Sequence, residues 1–355
     1  MEPTIYAGIA LALLGVSFFT SDKVKSMWWL FVFLQLFGAT SIASLSALGG
    51  ASLTAPHAGF IILLGMATLI VSPKDVAMSH RVLAINGLAL ASIAYGLLIS
   101  LFGPRLFAGT IDVVAMRPDI VGGIAVATPL EPRSGNITQP LYMTGSFLTA
   151  LAVSLVFARR LPASEFHKAM LMAGALHALL GLIDAVGIAA GMGRVLDFLR
   201  NANYAMLDQT IGTVPRLSGS LPEPSAYAGF GVTFAVFATE QWIRTKDRAA
   251  GLIGLWLWVM ILASTSSTGM FGASVYALIA YPRFLLSSGN FGRKLASVLV
   301  LAGLGLLAAG VSLARPDIFL GVRDFIADLT INKGESASGV ERASWAAQGW
   351  TTFNA

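Results

Sequence analysis

A bilayer core about 30 Å thick takes roughly 20 apolar residues per helix, and this chain presents one stretch of that kind after another. Ten are read along it, at 4–20, 27–49, 54–72, 82–102, 140–158, 169–191, 223–241, 250–264, 269–288 and 295–314. The weakest are 54–72, which begins beside Pro56 and His57, and the short 250–264. Charge is correspondingly scarce. Of the 355 residues, 12% are charged and 56% hydrophobic, against about 25% charged in an ordinary soluble domain. So few polar groups could not cover a globular surface in water. Soluble enzyme, nucleic-acid binder and disordered scaffold are excluded as descriptions of the whole chain. The expected fold class is an all-α polytopic membrane protein with about ten transmembrane helices in residues 1–314. Residues 315–355 read as the start of a large outer loop, and amphipathic helices are expected in the outer loops. The first stretch lacks the basic leader and small-residue cleavage site of a signal peptide. Without cysteine the chain has no disulfide, thiolate metal site or thiol nucleophile.

The positive charges give the topology. Of the 23 Lys and Arg residues, 13 fall in or beside the loops that follow odd-numbered spans. They include Lys23, Lys25, Lys74, Arg81, Arg159, Arg160, Lys168, Arg244, Lys246 and Arg248. The short alternate loops near 50–53 and 265–268 carry none. By the positive-inside rule the basic set is cytoplasmic and the N-terminus lies outside. The basic pairs need no nucleic acid to explain them.

Three outer segments are long: 103–139, 192–222 and 315–355. Val195, Leu199, Ala202 and Met206 form an amphipathic helical pattern in the second. Ile318, Val322, Phe325, Ile326 and Leu329 form another in the third. Both are fit to lie in the membrane interface, either roofing a cavity or resting on lipid. The chain stops at Phe353-Asn354-Ala355, which reads as a longer protein cut short.

The most informative stretch is Arg216-Leu-Ser-Gly219-Ser-Leu-Pro-Glu223-Pro-Ser225-Ala-Tyr227-Ala228, at the outer entrance to the span at 223–241. Pro224 suits the first turn of a helix, and Ser220 with Glu223 has capping-box spacing. A helix N-terminus offers unsatisfied N–H groups and a positive dipole end. Arg216, one short turn away, could grip two phosphate oxygens at once. Two readings stay open: a phosphate or pyrophosphate receptor, and a capped helix with a snorkelling arginine. Glu223 and Tyr227, four residues apart, share a helix face.

This stretch resembles the signature of bacterial O-antigen ligases and Wzy-type polysaccharide polymerases, and its Glu-Pro-Ser form is most similar to exopolysaccharide polymerases. Ser266-Ser267-Thr268-Gly269 resembles the family's Ser-x-Thr-Gly turn, with Ser267 where many members have arginine. Ser336-Ala-Ser-Gly339-Val-Glu-Arg342-Ala-Ser-Trp345 resembles the start of the large periplasmic loop with its second arginine. The resemblance spans roughly 215–355. It implies inverting glycosyl transfer at the periplasmic face of the bacterial inner membrane, without metal or other cofactor. The donor it implies is a polyprenyl-pyrophosphate-linked oligosaccharide. Carried over by position, Arg216 is the pyrophosphate ligand, Arg342 a second donor or acceptor contact, and Glu223 a base or acceptor orienter. Ser225, Tyr227, Ser267 and Thr268 complete the motif positions expected at substrate. Chain-length regulator and export proteins are the further partners it implies. The Gly-rich motif and histidine that relatives carry later in the loop lie beyond this chain.

Four histidines and one membrane-embedded acid complete the candidates. His80 and His167 fall in or beside cytoplasmic loops, and His57 lies near the outer end of its span. His177 and Asp184 are seven apart in the span at 169–191, on nearly one face. Ionisable groups at that depth face a bundle interior or a cavity. Asp184 is therefore expected either to line a glycan cavity or to make a buried interhelical hydrogen bond. The ligands are too sparse for a metal site. A ligase moving glycan onto lipid A-core is the alternative within the family. A transporter or flippase of lipid-linked glycans is the alternative outside it, less favoured because the polar groups gather at one face.

Overall fold

The computed structural model describes residues 2–45, 51–74, 87–114, 120–121, 124–125, 127–157, 160–192, 195–205, 210–211 and 214–287, with isolated positions from 291 to 299. It divides into two compact units, 1–264 and 265–355. The boundary expected at 314, the span at 295–314 and the outer-loop helix near 318–329 lie outside the described residues or almost wholly so.

The first unit is built mainly of helices: α1 (Ile5–Phe18), α2 (Lys23–Leu34), α3 (Ala55–Ile70), α4 (Gly87–Leu106), α5 (Gly135–Ala152), α6 (Ala163–Ala189), α7 (Pro224–Thr245) and α8 (Arg248–Ala263). The second unit contributes α9 (Ser267–Leu286). Each described apolar stretch therefore carries a helix, but the ten-span count is not met. Among the described residues, three helices are long and apolar enough to cross a membrane: Gly87–Leu106, Ala163–Ala189 and Ser267–Leu286. In α4 and α9 the apolar side chains face outward, only 6% of each helix's most apolar stretch being buried, whereas 44% of that stretch of α6 is buried. Outward apolar faces on such helices are what lipid, not water, accommodates. The protein is a helical, membrane-associated one.

Span two is the largest departure. Instead of running to residue 49, the helix stops at Leu34, and Ser41–Leu45 forms a strand paired antiparallel with Ala51–Thr54. Glu2–Pro3 adds to the other edge of Ser41–Leu45. The apolar composition of 35–45 hides the cause, which is tertiary. A Cβ on Gly38 would meet Leu221 Cδ2 at 2.6 Å, so glycine lets the later loop pack closely there. The backbone then bonds sideways, Ala39 N–H to Ser220 O at 3.3 Å and Ala202 N–H to Ala39 O at 2.9 Å. Ser41 N–H donates to Asn201 Oδ1 at 2.7 Å. These contacts replace the helical ladder that helix continuation would have supplied.

The amphipathic helix expected across 195–206 is also absent. A single 3-10 turn, Asp197–Leu199, stands in its place, and Met206 is outside the described residues. Arg200 and Asn201 are drawn to tertiary partners, so their stretch of backbone leaves the helical path.

The bundle has two polar ends. At one, Glu165 at the start of α6 pairs with Lys25 at 3.1 Å and Lys168 at 3.4 Å and accepts from Trp29 Nε1 at 3.3 Å. At the other, the residues after α2, those after α6 and those before α7 converge.

Candidate functional site

The loop 216–223 is built from its buried middle outward. Leu217, Ser218, Ser220 and Leu221 are almost fully enclosed. Gly219 takes φ +56°, a left-handed turn that glycine adopts without steric cost. Its side-chain-free face lies against Tyr227, where a Cβ would come within 3.0 Å of the ring. Ser220 Oγ donates to Leu36 O at 2.6 Å. The capping box suggested by Ser220 and Glu223 is therefore not formed. Glu223 is itself the N-cap, in extended backbone and without a side-chain cap bond, and Pro224 begins α7 as expected.

Asp184 anchors this loop. Its carboxylate is fully buried, and Oδ2 accepts from Ser218 N–H at 3.0 Å and Gly219 N–H at 2.9 Å. Oδ1 accepts from Arg200 Nη2 at 3.3 Å. Arg200, whose side chain is also fully buried, reaches Ser218 Oγ at 2.5 Å and Asp197 Oδ1 at 2.6 Å. The expectation that Asp184 lines a glycan cavity gives way to the buried alternative. Its partners are an arginine and two loop amides rather than a neighbouring helix.

Tyr227 is likewise a packing residue. It is 1% exposed, stacks on His177 with ring centroids 4.2 Å apart, and donates to His177 O at 3.3 Å. His177 Nε2 lies 3.1 Å from Tyr227 O. Gly181 makes room for the phenol: a Cβ there would fall 1.9 Å from Tyr227 Oη.

What the loop leaves partly exposed is Arg216, Pro222, Glu223 and Ser225. Ser225 Oγ donates to Glu223 Oε1. Burial pulls the Arg216 guanidinium below its ordinary value, and the carboxylate of Glu223 opposes that shift. Arginine stays charged regardless. The site therefore sets one cation, one carboxylate and one hydroxyl at a helix N-terminus. A groove of about 510 Å³ runs between α2 and α7, lined by Gln35, Phe31, Trp28, Ala226, Phe230 and Phe234.

Of the other expected site residues, Ser267 opens α9 and is partly buried, and Thr268 beside it is exposed, both in the second unit. Arg342 and His80 lie outside the described residues. His57 closes a capping box with Thr54, its Nδ1 at 3.1 Å from Thr54 N and 2.8 Å from Oγ1, and stacks on Tyr142. Among the described residues no three His, Asp or Glu side chains gather as metal ligands would.

Arg200 belongs to no motif, and its role is set by tertiary partners. A buried-depth acid in α6 with an arginine a short loop later was the available signal. Compared with protein-family models, curated proteins and solved structures, the chain matches none.

Proposed function

We propose that the protein polymerises polyprenyl-pyrophosphate-linked oligosaccharide repeat units by inverting glycosyl transfer at the periplasmic face of a bacterial inner membrane. The reading places about ten spans in the complete fold, with the entrance to α7 outside. One observation carries it: a rigidly anchored loop leaves Arg216, Glu223 and Ser225 together at a helix N-terminus. That arrangement suits a diphosphate leaving group. The apolar groove beginning at Ala226 suits its isoprenoid tail.

In this mechanism an acceptor hydroxyl oxygen attacks the donor's anomeric carbon. The bond from that carbon to the pyrophosphate oxygen breaks, with inversion, and polyprenyl pyrophosphate leaves. Arg216 stabilises the charge gathering on the leaving group. Glu223 takes the hydroxyl proton, which needs a base within hydrogen-bond reach. Arg342 gives a second anion contact, and Ser267 and Thr268 join through their motif positions alone. Asp184 and Tyr227 hold the loop and do not touch substrate.

The test incubates purified full chain with polyprenyl-pyrophosphate repeat units and follows product length. A ladder of longer glycans is expected. Transfer that waits for added lipid A-core identifies a ligase instead, and movement of intact lipid-linked glycan across vesicles identifies a flippase. Arg216→Lys is expected to lose about 100-fold in turnover, because a point charge cannot reproduce a two-oxygen grip. Parental turnover in that variant at equal expression removes Arg216 from the mechanism.

A further inference from the structure

Two successive amides aimed at one anionic oxygen, on a backbone that turns left-handed at Gly219, make a nest of the kind that binds phosphate. Here the nest is already filled. Its anion is the Asp184 carboxylate, with Ser218 N–H at 3.0 Å and Gly219 N–H at 2.9 Å on the same Oδ2. We infer that Asp184 and Arg200 form an internal latch: the protein supplies its own anion to this nest and so fixes the pose in which Arg216 and Glu223 meet the substrate. The inference rests on the reading of 216–223 as the pyrophosphate loop, and it deepens that reading by excluding the Ser218 and Gly219 amides from substrate contact.

The connectivity makes this a positioning device. Arg200 forks to three acceptors on three segments: Asp184 in α6, Ser218 in the loop and Asp197 in the 3-10 turn. That turn is held in its own right, since Leu199 O accepts from Thr40 Oγ1 at 2.6 Å. The latch therefore references the loop to α6 and to the segment that follows α2 at the same time. Arg216 and Glu223 flank the latched residues on either side, so they move together when the latch is lost. Neither Asp184 nor Arg200 is exposed to a ligand, each side chain having no accessible surface. Their influence on binding must pass through the loop backbone.

Asp184→Asn tests this at nearly constant volume. The amide presents an N–H₂ donor either to Arg200 or to the two loop amides, so one set of bonds is lost whichever way it turns. Amide exchange is measured on the full chain in detergent, where α6 and α7 stay protected. Exchange at Ser218 and Gly219 is expected to accelerate about 100-fold. Farnesyl pyrophosphate serves as the binding probe. Its affinity is expected to fall about tenfold although Arg216 is intact. Arg200→Lys, which keeps the charge and loses the fork, is expected to change both in the same direction by less, and decides the matter if Asp184→Asn does not fold. Unchanged exchange at Ser218 and Gly219 overturns the latch. Faster exchange with unchanged probe affinity overturns its positioning role and leaves a structural tie only. A parent protein that does not bind the probe overturns the pyrophosphate reading and with it the positioning role, while the exchange measurement still decides whether the latch exists.

Discussion

Arg200→Leu will lower the stability of the first unit by about 3–5 kcal/mol, because it strands a charge in the interior. Asp184 is enclosed by α6 and the 216–223 loop, and Arg200 is its only cationic partner among the described residues. Without the guanidinium, the Asp184 carboxylate loses that countercharge. Ser218 Oγ loses a donor at the same time. Chemical denaturation in micelles measures the loss. The Asp184→Leu, Arg200→Leu double variant sharpens it. For an isolated buried pair, replacing both members by apolar side chains is often neutral or stabilising. Here the double variant still leaves the Ser218 and Gly219 N–H groups without an acceptor, at about 1–3 kcal/mol for each buried group. A double variant as stable as the parent would show that the loop amides find other partners and that the carboxylate does not organise them.

Gly181→Ala is the second large effect, and its sign runs against helix propensity. In a helix interior alanine is favoured over glycine by about 1 kcal/mol. At Gly181 the new methyl would lie 1.9 Å from Tyr227 Oη and 2.7 Å from Cζ. The phenol has little room to retreat, with His177 stacked on it at 4.2 Å and Gly219 packed so near that a Cβ there would lie 3.0 Å from its ring carbons. Overpacking of this kind costs about 1–3 kcal/mol, so a net loss of about 2 kcal/mol is expected against a Gly65→Ala control. Gly65 is the appropriate control because nothing lies within 4 Å of a Cβ there. Tyr227→Phe should recover part of the loss by removing the nearest atom. Gly181→Ala as stable as Gly65→Ala would sink the idea that the Tyr227 hydroxyl occupies this notch.

The sequence made the helices legible and their lengths less so. Hydropathy finds α6 well, since 169–191 falls almost within Ala163–Ala189 and both polar residues, His177 and Asp184, point inward. It fails at 35–45, because apolarity alone does not distinguish a helix from a buried strand. The deciding facts there are contacts with Leu221, Ser220 and Asn201, nearly two hundred residues away in the chain. The same holds for the site. The helix start at Pro224, which brings Glu223 and Ser225 together, was legible because it is local; the Ser220–Glu223 capping box was not formed, because Ser220 donates to Leu36. The Asp184–Arg200 tie was half legible: a carboxylate at that depth announces a partner without naming it. The burial of Tyr227 against His177 was not legible, because a motif position says nothing about what packs over it.

The early end of α2 also bears on the lipid around the protein. At 1.5 Å per residue, α1, α2 and α3 reach only about 21, 18 and 24 Å, against an apolar core of about 30 Å. On this flank the strands Ser41–Leu45 and Ala51–Thr54 join α2 to α3. A bilayer meeting so low an apolar wall must dimple toward it. In vesicles the protein should accordingly unfold at higher temperature in short-tailed lipids than in long-tailed ones. The reverse order would mean that this flank is covered by protein and not by membrane.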